Sequence, residues 1–273
     1  MQIIKNTDEL IKIRRNLKQN IGFVPTMGAL HLGHLSLIQR SVAENELTIV
    51  SIFVNPTQFL EGEDFSKYPQ TLEKDLQICK MAQVDIVFLP NTKSIYFKDE
   101  LKIKAPPNRG FILEGLKRPA HFDGVLQVVL KLLNITTPTR AYFGKKDAQQ
   151  FYLISKMARE LFLDVEIVGC EIVRDDEGLA LSSRNIYLST DERKKALLIS
   201  KSLKKSSDLV INGELETQLI KSKMREILTD VEIEYVEIVD REFRLLKNLE
   251  IHNSIILIAV RVGKTRLIDN IWI

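Results

Sequence analysis

Cysteine is scarce in this chain: only Cys79 and Cys170 occur among 273 residues. They lie far apart and form no Cys-x-x-Cys pair, which argues against a disulfide framework and for free, buried thiols in a reducing compartment. Neither has a histidine nearby in sequence, and Lys80 beside Cys79 falls on another helix face, so no cysteine nucleophile is expected. A dominant charge sign is also missing. The formal net charge is +3, with 39 basic residues interspersed among 36 acidic ones, which leaves no electrostatic footprint for duplex nucleic acid. The basic pairs Arg14-Arg15 and Lys204-Lys205 read as solvated helix faces. Long apolar runs are absent too: the start, Met1-Gln-Ile-Ile-Lys-Asn6, lacks the apolar stretch of a signal peptide, and no segment reaches membrane-spanning length. A cytoplasmic protein is expected, with no membrane or nucleic-acid partner. What is present, 45% hydrophobic and 27% charged residues, is a globular composition, and the length suits one large domain plus a smaller one.

The first two-thirds of the chain alternates between strand-like and helix-like stretches. Ile21–Val24, Thr48–Val54, Val84–Leu89, Ala141–Phe143 and Val165–Val168 read as strands; Leu72–Met81, Phe122–Leu133 and 147–161 read as helices, as does the stretch carrying Leu35, Leu37, Ile38 and Val42. That rhythm predicts an α/β fold with a doubly wound, Rossmann-like parallel sheet, whose ligands sit at the carboxyl ends of the strands. The pattern changes near residues 170–176. A short hairpin through Asp175-Asp-Glu-Gly178, helices over 190–211 and 215–228, and strands over 233–239, 255–260 and 266–271 predict a smaller α+β domain. The expected division is 1–172 for the Rossmann-like domain and 173–273 for the smaller one. The sequence shows no repeats and no low-complexity tracts.

Histidine is also rare, with four in the chain, yet two fall three positions apart in Pro25-Thr-Met-Gly-Ala-Leu-His31-Leu-Gly33-His34. A strand, a glycine-bearing turn and a helix start make a natural phosphate site, because unpaired N–H groups at a helix N-terminus carry partial positive charge. His31 and His34 fall on one side of the first turn, and Gly33 leaves room for a phosphate to approach the backbone. The plainer alternative is that both histidines cap a helix. Phe53-Val-Asn55-Pro56-Thr57-Gln58-Phe59 closes the next strand with two amide side chains at the carboxyl edge of the sheet. Tyr142-Phe-Gly144-Lys145-Lys146-Asp147-Ala-Gln149-Gln150 repeats the design. There Lys146, Asp147 and Gln150 are expected on one helical face, with Gln150 heading a buried stripe through Ile154, Met157 and Leu161. Leu181-Ser182-Ser183-Arg184-Asn185 supplies two hydroxyls and a guanidinium, groups suited to a triphosphate.

Taken in order, these motifs resemble the pantothenate synthetase (pantoate–β-alanine ligase) family of the nucleotidyltransferase superfamily, which shares the His-x-Gly-His motif with class I aminoacyl-tRNA synthetases. Glu63-Asp-Phe-Ser-Lys-Tyr-Pro69 and Arg118-Pro-Ala-His-Phe-Asp-Gly-Val125 extend the resemblance along the whole chain. It implies an ATP site made of Met27, Gly28, Ala29, Leu30, His31, Leu32, Gly33 and His34, completed by Gly144, Lys145, Lys146, Asp147, Val173, Leu181, Ser182, Ser183 and Arg184. His34, His31, Lys146 and Arg184 are the implied catalytic groups. Gln58 and Gln150 would hold pantoate, and Gln58 would also touch β-alanine. Magnesium would accompany the phosphates, although the sequence shows no carboxylate cage for it, and a homodimer is implied. Ala120 stands where many members have glycine and Leu181 where many have methionine; neither change removes a polar group.

The implied reaction is amide formation in two steps. Pantoate attacks the ATP α-phosphate and releases pyrophosphate, then the β-alanine amine attacks the pantoyl adenylate and releases AMP. No enzyme nucleophile is needed; the protein positions two anions and neutralises the leaving pyrophosphate, a task for which a protonated histidine would serve better than a neutral one. A nucleotide contacting Ser182–Arg184 as well as His31, His34 and Lys146 would draw the two domains together. Three alternatives remain at this level: another nucleotidyltransferase, a reduced tRNA synthetase, and a non-catalytic nucleotide-binding module. The first should carry extra basic residues for a second phosphate, the second an RNA-binding appendage, and the third would release no pyrophosphate.

Overall fold

Six strands, the central ones near-continuously apolar, build a parallel sheet in the first of the two units of the computed structural model, which describes residues 1–60 and 62–273. This unit comprises Met1–Lys145 and Gln149–Glu171; the second comprises Lys146–Ala148 and Ile172–Ile273. Strands β1 (Gln2–Ile4), β2 (Ile21–Thr26), β3 (Leu47–Ile52), β4 (Ile86–Phe88), β5 (Arg140–Gly144) and β6 (Glu166–Cys170) lie in the order β1-β4-β3-β2-β5-β6, every pair parallel. Apolar side chains fill both faces because helices cover both, as parallel sheets require. Val24, Val50, Val87, Tyr142 and Val168 pack with Leu37 and Ile38 in one such layer.

The connecting helices are α1 (Thr7–Asn16), α2 (Leu32–Glu44), α3 (Leu72–Met81), α4 (Thr92–Ile95), α5 (Glu114–Lys117), α6 (His121–Thr136) and α7 (Ala148–Glu160). Strand order reverses between β2 and β5: from β2 the chain winds outward through β3 and β4, and from β5 through β6. A doubly wound sheet opens a ligand crevice at such a reversal, beyond the carboxyl ends of its strands. The carboxyl ends of β3, β2 and β5 are therefore neighbours, and each leads into one of the motifs singled out above.

The second unit holds α8 (Thr190–Ile211), α9 (Thr217–Ile227) and an antiparallel sheet of β7 (Glu232–Asp240), β8 (Ser254–Val262) and β9 (Thr265–Trp272) in the order β7-β8-β9. Its core joins Ala196, Ile199 and Leu203 of α8 and Ile220 and Met224 of α9 to Ile256, Ile258 and Val260 of the central strand. The expected hairpin is present as one antiparallel bridge, Arg174 with Ala180, closed by Leu181 N–H donating to Val173 O at 2.9 Å.

Two local expectations need correction. Lys145–Asp147 forms a 3-10 turn ahead of α7, so the i, i+4 geometry of an α-helix does not place Lys146, Asp147 and Gln150 on one face. The buried stripe of α7 ends at Met157: Leu161 lies beyond the helix and is 47% exposed.

Candidate active site

The turn between β2 and α2 is tied down by its own side chains. His31 is the N-cap of α2; its Nδ1 accepts the Gly33 N–H at 3.2 Å, while His34 Nδ1 accepts the His31 N–H at 3.3 Å. This reciprocal arrangement is a capping box built from two imidazoles. The rings lie 4.1 Å apart between centroids and tilt 41° to each other. Accepting at Nδ1 assigns the ring proton to Nε2 in both residues, since a doubly protonated ring has no acceptor. Protonation at Nδ1 would break both caps.

The turn's backbone donors are also largely engaged. Gly28 N–H donates to Thr26 Oγ1 at 3.2 Å, and those of Ala29 and Leu30 go to the Asp75 carboxylate at 3.0 and 2.8 Å. Of the run 28–33, only Leu32 keeps an N–H without an intramolecular acceptor among the described residues. The donor this run leaves for a partner outside the chain is therefore the Leu32 N–H at the start of α2. Gly28 has φ +84° and Ala29 φ +50°, a left-handed conformation that glycine adopts freely and alanine does not.

At the end of β3, Asn55 is 1% exposed and spends every polar atom inside the protein. Its Oδ1 accepts from Tyr96 Oη at 2.6 Å and Thr57 Oγ1 at 3.0 Å; its Nδ2 donates to Gly124 O at 3.2 Å and Gln58 Oε1 at 3.1 Å. One of these bonds fixes the Gln58 amide. With Oε1 held by Asn55, the Gln58 Nε2 is presented as the donor, 3.0 Å from Met27 Sδ, which links the β3 loop to the histidine turn. A Cβ on Gly124 would sit 2.2 Å from Thr57 O, so only glycine lets α6 approach this loop.

The Gln58 backbone is held as firmly. His121 Nδ1–H donates to Gln58 O at 2.7 Å and its Nε2 accepts from Arg118 Nη1 at 3.0 Å, while Arg118 binds both Glu63 oxygens at 2.7 Å. Burial, then the Arg118 charge, pushes the His121 pKa down to about 4, so the ring is neutral. Burial alone would raise the Glu63 carboxyl, but the hydrogen bonds and charge of Arg118 outweigh it and hold the group below the usual carboxylate range. Arg118 and His121 lie 60 and 63 positions from Gln58 in sequence, and no local pattern pairs them with it.

One other candidate differs from expectation in its burial. Gln149, not Gln150, is the buried glutamine of α7, 3% exposed and fully bonded to Glu114 N, Arg109 O and Ile112 O at 2.8–3.0 Å. Gln150 is half-buried, and its amide makes no hydrogen bond among the described residues. At the end of β5, a Cβ on Gly144 would meet nothing within 4 Å, and the Lys145 ammonium pairs with Glu171. Within the second unit, Asn270 Nδ2 holds the Lys146 carbonyl at 2.8 Å. There too, Ser182 caps the 3-10 turn Ser183–Tyr187, its Oγ accepting the Arg184 N–H at 3.3 Å.

The model of the pantoate-beta-alanine ligase family matches residues 2–272. This chain belongs to the pantoate-beta-alanine ligase family. It is 58% identical to the pantothenate synthetase of Wolinella succinogenes and 55% to that of Aliarcobacter butzleri, each over the full length of both chains. Its fold superposes on the crystal structure of pantothenate synthetase from Thermus thermophilus with a TM-score of 0.94 at 37% identity, covering 100% of this chain and 99% of the other. A second solved relative, the Francisella tularensis ligase complexed with β,γ-ATP and β-alanine, matches at a TM-score of 0.84 and 39% identity over 100% and 97%.

For a ligase of this family the cysteines are inert. Both are buried; burial pushes the Cys79 thiol up to about 12 and raises that of Cys170. Among the described residues no three His, Cys, Asp or Glu side chains converge into a metal cage, and no helix is long and apolar enough to cross a membrane.

Proposed function

We propose that this ligase condenses (R)-pantoate with β-alanine, using ATP, through a pantoyl adenylate, and releases pantothenate, AMP and pyrophosphate. A free carboxylate is a poor electrophile, and adenylation converts it into one with a good leaving group. The observation that carries this reading is the link, at the carboxyl ends of β2 and β3, between the imidazole-capped turn and an amide fixed for donation: Gln58 Nε2 to Met27 Sδ at 3.0 Å. It pairs an anion-binding helix start with a neutral reader of a hydroxy acid.

In this reading Met27–His34, with Gly144, Lys145, Lys146, Asp147, Val173, Leu181, Ser182, Ser183 and Arg184, bind ATP. The Nε2–H groups of His31 and His34 and the cations of Lys146 and Arg184 neutralise charge as pyrophosphate departs, a preorganised electrostatic role. Gln58 and Gln150 orient the pantoate for attack on the α-phosphate, and Gln58 also meets β-alanine. Magnesium enters with ATP as part of the substrate. A cytoplasmic homodimer belongs to the same proposal. Incubation with ATP, pantoate and β-alanine should yield AMP and pyrophosphate in equal amounts. ADP and phosphate as products would overturn the adenylate route, and nucleotide binding without turnover would favour a sensor.

A further inference from the structure

Asp75 belongs to none of the motifs that point to the site, yet among the described residues it is the most deeply buried carboxylate near it. It sits in the first turn of α3 at 1% exposure. Its Oδ2 accepts the Ala29 N–H at 3.0 Å and its Oδ1 the Leu30 N–H at 2.8 Å; Thr71 Oγ1 adds a third bond to Oδ1 at 3.1 Å. No lysine or arginine pairs with it among the described residues, so these donors alone compensate a buried negative charge.

The cost of burying that charge beside an anion-binding turn calls for a reason, and the backbone supplies it. Ala29 is held at φ +50°, a conformation that an L-residue rarely adopts unless its surroundings enforce it. A Cβ on Gly28 would stand 3.0 Å from Asp75 Oδ2, so glycine there admits the carboxylate. Leu30 directly precedes His31, whose cap and ring contact with His34 depend on where the chain enters α2.

We propose that Asp75 is a positioning residue for adenylation: by clamping the Ala29 and Leu30 N–H groups from α3, it presets the His31–His34 pair for the phosphates of ATP. This rests on the assignment of those histidines to ATP. Asparagine at 75 would accept only one of the two N–H groups and would turn its own amide donor toward the other, loosening the turn with little change in volume.

The test compares Asp75→Asn, Thr71→Val, His34→Ala and the buried control Ser41→Ala in pantoate-dependent exchange of labelled pyrophosphate into ATP, below each variant's melting temperature. Asp75→Asn should lower kcat by about 10- to 100-fold and raise KM for ATP, with KM for pantoate within about threefold of wild type. Thr71→Val, which removes one support of the carboxylate, should move the same parameters by a smaller factor. Ser41→Ala should lower the melting temperature and leave the ratio of the two KM values alone. Normal exchange by Asp75→Asn while His34→Ala is inactive would overturn the clamp and leave the ATP site standing. Normal exchange by His34→Ala would overturn both. If Asp75→Asn does not fold, unchanged ATP kinetics in Thr71→Val refutes the proposal.

Discussion

Lowering the pH from 7 to 4 should destabilise the wild-type protein by about 3 kcal/mol more than a His121→Asn variant. His121 is 7% exposed, and burial followed by the Arg118 charge takes its pKa from 6.5 down to about 4. In the unfolded chain the ring titrates near its ordinary value. Between these limits the unfolded state binds a proton that the native state refuses, so the contribution is complete above the ordinary value and is lost as the pH falls toward the folded one. A gap of about 2.5 pH units corresponds to about 3 kcal/mol, with a slope of at most about 1.4 kcal/mol per unit. Asparagine keeps an amide donor for the Gln58 carbonyl and does not titrate. Glu63, whose pKa is lowered, acts with the same sign at lower pH and is present in both proteins. Urea unfolding at steps of about one pH unit reads the difference directly. Parallel stability curves would mean that His121 takes its proton in the folded state, and that the Glu63–Arg118–His121 support of Gln58 is wrongly described.

Lys146→Ala should slow adenylation by roughly 10²–10³-fold with little change in melting temperature; a large stability loss with near-normal turnover would assign the lysine a packing role. Gln58→Ala and Gln150→Ala should each raise KM for pantoate by an amount equivalent to ~1–3 kcal/mol and leave KM for ATP nearly unchanged; equal losses for both substrates would show that these amides do not read the acid. Ala120 is held at φ +65° at the N-cap of α6, so Ala120→Gly should stabilise the protein by about 1 kcal/mol in thermal melts, and a lower melting temperature would refute the strain argument. Hydrogen exchange over Gly178–Asn185 should slow at Ser182–Arg184 when a non-hydrolysable ATP analogue is added, and unchanged exchange would remove that segment from the nucleotide site.

Elements that declare themselves through local periodicity were readable from the sequence. The helices over 72–81 and 190–211 have the predicted bounds, and the strand–turn–helix over 21–44 places both histidines at a helix start. Strand β1 was not readable, because three residues carry no pattern and owe their structure to pairing with β4. Gln149 and Gln150 are adjacent amides, and which one faces inward depends on a 3-10 turn that spacing rules do not foresee. Asp75 and His121 escape for a related reason. Their partners are backbone groups 45 and 63 positions away, and such contacts leave no imprint on the sequence around either end.

Exchange of labelled pyrophosphate into ATP is the decisive measurement of adenylate formation. Exchange should occur with ATP and pantoate alone, need no β-alanine, and be lost in His34→Ala. Exchange that appears only after β-alanine is added would contradict the adenylate-first mechanism and the roles assigned around it.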